Sequence, residues 1–113
     1  MNIFAANNAG SPTLEREIRT KSHLLPPYNV ILENDPDHSM EFVLEVLAKV
    51  FSYPHEKCYS LMMTAHETGC SVVWTGAKEV AELKAEQMST FHEIRKADNK
   101  DLGPLGVRIE PSE

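Results

Sequence analysis

The alternation of apolar and polar positions along the chain predicts three strands. The run from Tyr28 to Glu33, "YNVILE", is rich in β-branched and aromatic residues and follows two prolines that mark its entry. A later run, "CSVVWT", has the same character and predicts a second strand. The run "LGVRIE" predicts a last strand, because its apolar residues alternate with smaller or charged ones. These alternating apolar residues are Leu105, Val107 and Ile109.

Helical spacing of apolar residues predicts two helices between the first and second strands. The first begins after Ser39, and its apolar positions are typical of a helix with one buried face. That stripe comprises Met40, Val43, Leu44, Leu47, Val50 and Phe51, and Phe42 and Val46 extend it. The second helix is predicted to begin at Pro54 and to end at Gly69. Its shared face comprises Cys58, Leu61, Met62 and Ala65.

A long third helix is predicted over "GAKEVAELKAEQMSTFHEIRKA", before the turn residues of "DNKDLGP". Its expected apolar stripe is Val80, Leu83, Phe91 and Ile94, with Glu82, Glu86 and Glu93 opposite. The predicted order of elements is therefore β-α-α-β-α-β. This pattern leaves parallel and antiparallel pairing of the strands open, because strands that are separated by helices can pair in either direction.

A polar cluster joins the first strand to the first helix and raises a question of function. It contains Asn34, Asp35, Asp37, His38 and Ser39. Residues of these types end strands, form Asx-turns and cap helices, so the cluster needs no function to explain it. The surrounding sequence must decide between a plain turn and a site.

Length and composition indicate one small domain. With 113 residues there is room for a single core, and residues 1–24 carry few apolar anchors, so they are expected to form a flexible extension to a domain at 25–113. A signal peptide and a membrane span are not expected, which favours a cytoplasmic protein. Cys58 and Cys70 lack CxxC spacing and are expected to be reduced thiols.

Charge and motifs argue against several classes of function. A net charge of -6 argues against a partner held by its phosphates, so no nucleic-acid binding is expected. The five histidines include no pair at i,i+3 or i,i+4, and we expect no metal site and no cofactor. The sequence contains no GxGxxG, GxxxxGK[ST] or GxSxG motif, so nothing indicates an enzyme.

Three separated segments together resemble the ClpS family, adaptors that deliver N-degron substrates to a Clp-type AAA+ protease. The segments are "NVILENDPDHSMEFVLEVLAKVF", "LMMTAHETG" and "KEVAELKAEQM". The resemblance runs from about residue 25 to the C-terminus. It implies an α+β fold in which three helices pack on a three-stranded antiparallel sheet. It also implies two partners, the N-terminal domain of a Clp AAA+ ATPase and N-degron peptides, and we expect a monomer.

The resemblance assigns the amino group of an N-degron to Asn34, Asp35 and His66. The chemistry is reasonable in its own right, because an α-ammonium has three donors and a positive charge. An amide oxygen, a carboxylate and a neutral imidazole all offer acceptors.

The family's hydrophobic pocket corresponds to Met40, Val43, Met62, Ala65 and Leu105, with His38 beside it. Met40 and Val43 lie one turn apart on the first helix, so they can form one wall, and the second helix offers a similar pair. Without the resemblance, each of these apolar residues would be interpreted as core. The family's surface for the Clp ATPase corresponds to Glu79 and Lys84, which would otherwise be interpreted as a solvated helix face.

Three departures from the family pattern keep alternatives open. Pro36 stands where the family commonly has a second Asp, His38 where it often has Thr, and Ala65 where a larger branched residue is frequent. One alternative is therefore a ClpS-like module that docks on a Clp ATPase but has weakened or lost N-degron binding. A small hydrolase that uses His66 with Asp35 is a further alternative, although no nucleophile is evident beside the histidine.

Overall fold

The computed structural model describes residues 25–112. Their elements follow the predicted order, with a two-stranded hairpin added before the last strand. The elements are β1 (Tyr28–Glu33), α1 (Met40–Phe51), α2 (His55–Thr68), β2 (Cys70–Gly76), α3 (Lys78–Ser89), β3 (Glu93–Arg95), β4 (Lys100–Gly103) and β5 (Val107–Pro111). The extension predicted for residues 1–24 lies outside the described residues. Among residues 25–112, no helix is long and apolar enough to cross a membrane.

The main sheet is three-stranded and antiparallel, with β1 between β2 and β5. Val30 of β1 pairs with Trp74 of β2 on one side and with Ile109 of β5 on the other. Val30 and Leu32 are buried in one core with residues of all three helices. The fold class implied by the family resemblance is confirmed, and the strand directions that the pattern left open are antiparallel.

Helix α1 begins where it was predicted, since the Ser39 hydroxyl accepts a hydrogen bond from the Phe42 N–H and caps the helix. The predicted centre of its buried face was wrong. The buried residues are Phe42, Val46, Leu47 and Val50. Met40, which was placed on the buried stripe, is 49% exposed. The helix is apolar around most of its circumference, so periodicity does not determine which side faces the core.

Helix α2 confirms the predicted boundaries. Pro54 is its N-cap, and Gly69 ends it in a left-handed conformation at φ 100°, donating its N–H to the Ala65 carbonyl. The buried residues are Cys58, Met62 and Ala65, as predicted for this face. Burial raises the pKa of the Cys58 thiol.

The third helix is shorter than predicted, because α3 ends at Ser89 and a two-stranded hairpin follows. The Thr90 hydroxyl donates to the Gln87 carbonyl at the helix end. The residues buried from α3 are Ala81 and Met88, whereas the predicted stripe residues Val80, Leu83 and Ile94 are exposed. Strands β3 and β4 pair antiparallel around a turn in which Asn99 has a positive φ of 57°.

Candidate functional site

A cavity of about 280 Å³ opens beside the segment that joins β1 to α1. It is lined by the end of β1, this segment, α1, α2 and the connection between β4 and β5. The lining residues are Leu32, Glu33, Asn34, Asp35, Pro36, His38, Met40, Val43, Met62, Ala65, His66 and Leu105. All nine residues predicted for the amino-group site and the side-chain pocket therefore meet at one cavity.

The inner part of the cavity is apolar. Met62, Ala65 and Leu105 are buried there, and Leu105 is only 4% exposed. Met40 is half exposed, so it lies at the mouth, with Val43 one turn further along α1. An apolar interior of this kind favours a hydrophobic side chain over a charged one.

Two polar side chains on the lining have unused hydrogen-bonding groups. Within residues 25–112, the side chains of Asn34 and His66 make no hydrogen bond or ion pair. The Asn34 N–H donates to the Gly69 carbonyl at 3.0 Å, which fixes the segment against the end of α2. His66 lies in the last turn of α2. The fold thereby presents an amide oxygen and an imidazole to the cavity from two different elements.

The carboxylate of Asp35 is held in place at both oxygens. Its Oδ1 accepts the Asp37 N–H at 2.9 Å, as in an Asx-turn, and its Oδ2 lies 2.9 Å from His38 Nδ1. Each carboxylate oxygen has two lone pairs, so Asp35 can still accept a hydrogen bond from a ligand. These two contacts therefore fix the orientation of the Asp35 carboxylate at the cavity.

His38 faces the protein rather than the solvent. Its side chain is 2% exposed, its Nε2 lies 3.0 Å from the Gly103 carbonyl oxygen, and its ring stacks on Phe42 with centroids 5.5 Å apart. It was predicted beside the side-chain pocket, and it does line the cavity. Both of its ring nitrogens, however, are engaged within the chain.

Sequence reasoning missed three lining residues. Leu32, Glu33 and Pro36 also face the cavity, and the carboxylate of Glu33 is paired with Arg108 at 2.6 Å. Leu32 and Glu33 directly precede the polar cluster in the sequence and Pro36 lies within it, so proximity to that cluster was a signal that could have found them.

The arrangement does not favour a hydrolase. The carboxylate of Asp35 is paired with His38 rather than with His66. Among the described residues that line the cavity there is no Ser, Thr or Cys that could serve as a nucleophile. Residues 25–112 also contain no group of three metal-ligating side chains.

Glu79 and Lys84 lie on α3, and neither lines the cavity. The Lys84 ammonium donates to the Val50 carbonyl at 3.2 Å and lies 5.7 Å from the centre of the Phe51 ring. It therefore ties α3 to the C-terminal end of α1, where a cation is favourable. Val80 and Leu83, on the same helix, expose apolar surface.

The chain is similar to known proteins of one family. Residues 24–105 match the family model described as ATP-dependent Clp protease adaptor protein ClpS. The chain is 39% identical to ATP-dependent Clp protease adapter protein ClpS 2 of Rhizobium meliloti (strain 1021), over 99% of this chain and 97% of that protein. It is 43% identical to the ClpS adapter of Pectobacterium carotovorum subsp. carotovorum (strain PC1), over 65% of this chain and 71% of that protein.

A solved structure is also similar. The structure of Agrobacterium tumefaciens ClpS2 bound to L-phenylalaninamide superposes with a TM-score of 0.63 at 34% identity. The match covers 77% of this chain and 98% of that one.

Proposed function

Because the chain belongs to the ClpS family of Clp protease adaptors, we propose that it binds peptides by a free N-terminus and a bulky hydrophobic first residue, Leu, Phe, Tyr or Trp. It then delivers them to a Clp AAA+ ATPase. The observation that carries this proposal is one cavity that has an apolar interior and, on its lining, two polar side chains with no hydrogen-bond partner within residues 25–112. Such a cavity suits a ligand that carries an ammonium group next to a large apolar side chain.

In this proposal, the α-ammonium donates to Asn34 Oδ1 and to a ring nitrogen of a neutral His66, and the Asp35 carboxylate supplies negative potential. The first two side chains make no other hydrogen bond within residues 25–112, so the ligand replaces water on them rather than a protein partner. Acetylation would remove the charge and two of the three donors.

The first side chain of the ligand enters the apolar interior between α1 and α2. Met40 stands at the mouth, where it crowds a side chain branched at Cβ, so Ile and Val should bind less well than Leu. Ala65 leaves depth for the rings of Phe, Tyr and Trp. The ligand of the similar ClpS2 structure supports this assignment, because L-phenylalaninamide has a free α-amino group and an aromatic side chain.

The expected affinity is micromolar. Burial of one Leu or Phe side chain contributes about 1.5–3 kcal/mol, and each hydrogen bond to a charged group contributes about 1.5–3 kcal/mol before the cost of association. We expect a Kd of about 1 μM, within roughly a factor of ten, which corresponds to a net binding free energy of about 8 kcal/mol.

Docking on the N-terminal domain of the ATPase is assigned to α3, through Glu79 and Lys84. The exposed Val80 and Leu83 on this helix support an interaction surface that is separate from the cavity. Cys58 and Cys70 are free thiols, as in a reducing compartment, and we place the adaptor in the cytoplasm as a monomer without catalytic activity.

Fluorescence anisotropy of a Phe-initiated peptide, against the same peptide N-acetylated, tests the proposal. Binding of the free peptide alone is the expected result. A Kd above the millimolar range for every bulky first residue, together with retained binding to a Clp ATPase N-terminal domain, would instead favour a ClpS-like module that has lost N-degron recognition.

A further inference from the structure

His38 connects two parts of the cavity that lie far apart in the sequence. On one side its Nδ1 meets the Asp35 carboxylate at 2.9 Å, and on the other its Nε2 meets the Gly103 carbonyl at 3.0 Å. Its side chain is 2% exposed, and that of Asp35 is 28% exposed. The second contact spans 65 residues of sequence.

Both partners of the ring are hydrogen-bond acceptors. A carboxylate and a carbonyl oxygen can only accept, so the ring satisfies both when it carries a proton on each nitrogen. Ser39, the residue after His38, donates its N–H to the Glu93 carboxylate at 2.9 Å. From α1, the ring of Phe42 stacks on the His38 ring. A ring nitrogen that donates to the Asp35 carboxylate makes a charge-assisted hydrogen bond.

The Gly103 peptide is fixed on both sides. Its carbonyl accepts from His38, and its N–H donates to Asp101 Oδ1 at 2.7 Å. Gly103 has a φ of 79°, a conformation that glycine adopts without strain. Leu105 follows two residues later and forms part of the apolar interior. The position of the Gly103 carbonyl therefore bears directly on where Leu105 lies.

We propose that His38 is a positioning residue of the binding cavity. Its contacts with the Asp35 carboxylate and the Gly103 carbonyl form a clasp. This clasp fixes the distance between the Asp35 carboxylate and Leu105 in the apolar interior of the cavity. The proposal deepens the N-degron function and rests on it. His38 itself does not contact the ligand through its ring nitrogens, because both are already bonded.

A double-mutant cycle tests the clasp. His38→Ala should weaken binding of a Phe-initiated peptide by about tenfold or more, because it removes a hydrogen-bond partner from the Asp35 carboxylate and from the Gly103 carbonyl and frees Asp35 and Leu105 to move. Asp35→Asn should weaken binding as well. Since His38 acts partly through Asp35, the double variant should lose less than the product of the two single losses.

The matched control is His55→Ala, which removes an exposed histidine that stacks on Tyr59 and does not line the cavity. His38→Gln is the second variant, because its amide can donate to one acceptor and so preserves more of the fold; its affinity should fall between those of His38→Ala and the parent. Thermal melts identify the temperature range in which each variant is folded, and binding is measured within it. Parental affinity in the folded His38→Ala or His38→Gln protein, or fully multiplicative losses in the cycle, would overturn the proposal.

NMR provides a readout that does not depend on a ligand. In ¹H–¹⁵N spectra, His38→Gln should shift the amide resonances of Asp35 and Leu105. Unshifted amides at both positions would refute the clasp. If the parent protein bound no free N-terminus, the N-degron function would fail, and these spectra would still decide whether the clasp exists.

Discussion

Enlarging Ala65 should reduce the depth of the cavity and change its selectivity by a calculable amount. Ala65 is buried on α2 and faces the cavity, so the two extra methyl groups of Ala65→Val displace ligand rather than solvent. At about 0.8 kcal/mol for each buried CH₂ group, the deepest part of a Trp side chain loses about 1.6 kcal/mol, which is roughly a tenfold rise in Kd. A Leu side chain reaches less far and should lose less.

The assay is fluorescence anisotropy with Trp-, Phe- and Leu-initiated peptides on the parent protein and on Ala65→Val. Ala48→Val is the matched control, since it makes the same change at an exposed position of a helix and carries the same cost in helix propensity. The reasoning is wrong if the ratio of Trp to Leu affinity stays constant, or if Leu loses more than Trp.

Three further changes test other parts of the molecule. Met40→Ala should raise the affinity for Ile-initiated peptides relative to Leu, and an unchanged ratio in peptide titrations would show that Met40 does not set this selectivity. Cys58 should react with iodoacetamide much more slowly than Cys70, because burial raises the pKa of the Cys58 thiol and only the thiolate reacts; mass spectrometry of the native protein measures the order of modification. The pKa of Asp101 is lowered, mainly because its carboxylate accepts the Gly103 N–H. This contact stabilises the hairpin above the unfolded pKa of about 3.9 and is lost as the pH falls through the lower folded value. The Gly103 amide resonance should therefore titrate below about pH 3.9 in the parent and not in Asp101→Asn.

Local pattern predicted the elements whose signals lie within a few neighbouring residues. The bounds of β1 and the ends of α2 followed from β-branched content and from Pro54 and Gly69. Pattern did not predict that Met40 and Val43 would line a cavity, because an apolar residue on an amphipathic helix looks the same whether it faces a core or a pocket. Only the family resemblance distinguished these two positions before the structure.

The hairpin after α3 was missed for a different reason. Phe91 and Ile94 fit helical spacing, so periodicity extended the helix beyond Ser89. Two contacts that join the hairpin to the rest of the domain are long-range, since Glu93 accepts the Ser39 N–H across 54 residues and the Gly103 carbonyl contacts His38 across 65. Interactions between residues so far apart produce no periodic pattern of apolar residues in the sequence.

The cavity takes its walls from residues as distant as Leu32 and Leu105, so no single segment can bind a ligand alone. The pocket is complete only when β5 has paired with β1 and brought Leu105 into place. A ligand that binds only this assembled state stabilises it by mass action, by about 2.7 kcal/mol at a concentration one hundred times the Kd. Under the proposed function, an N-degron substrate would stabilise the folded adaptor that binds it, and a variant with a destabilised core should survive longest in cells where such N-termini are abundant.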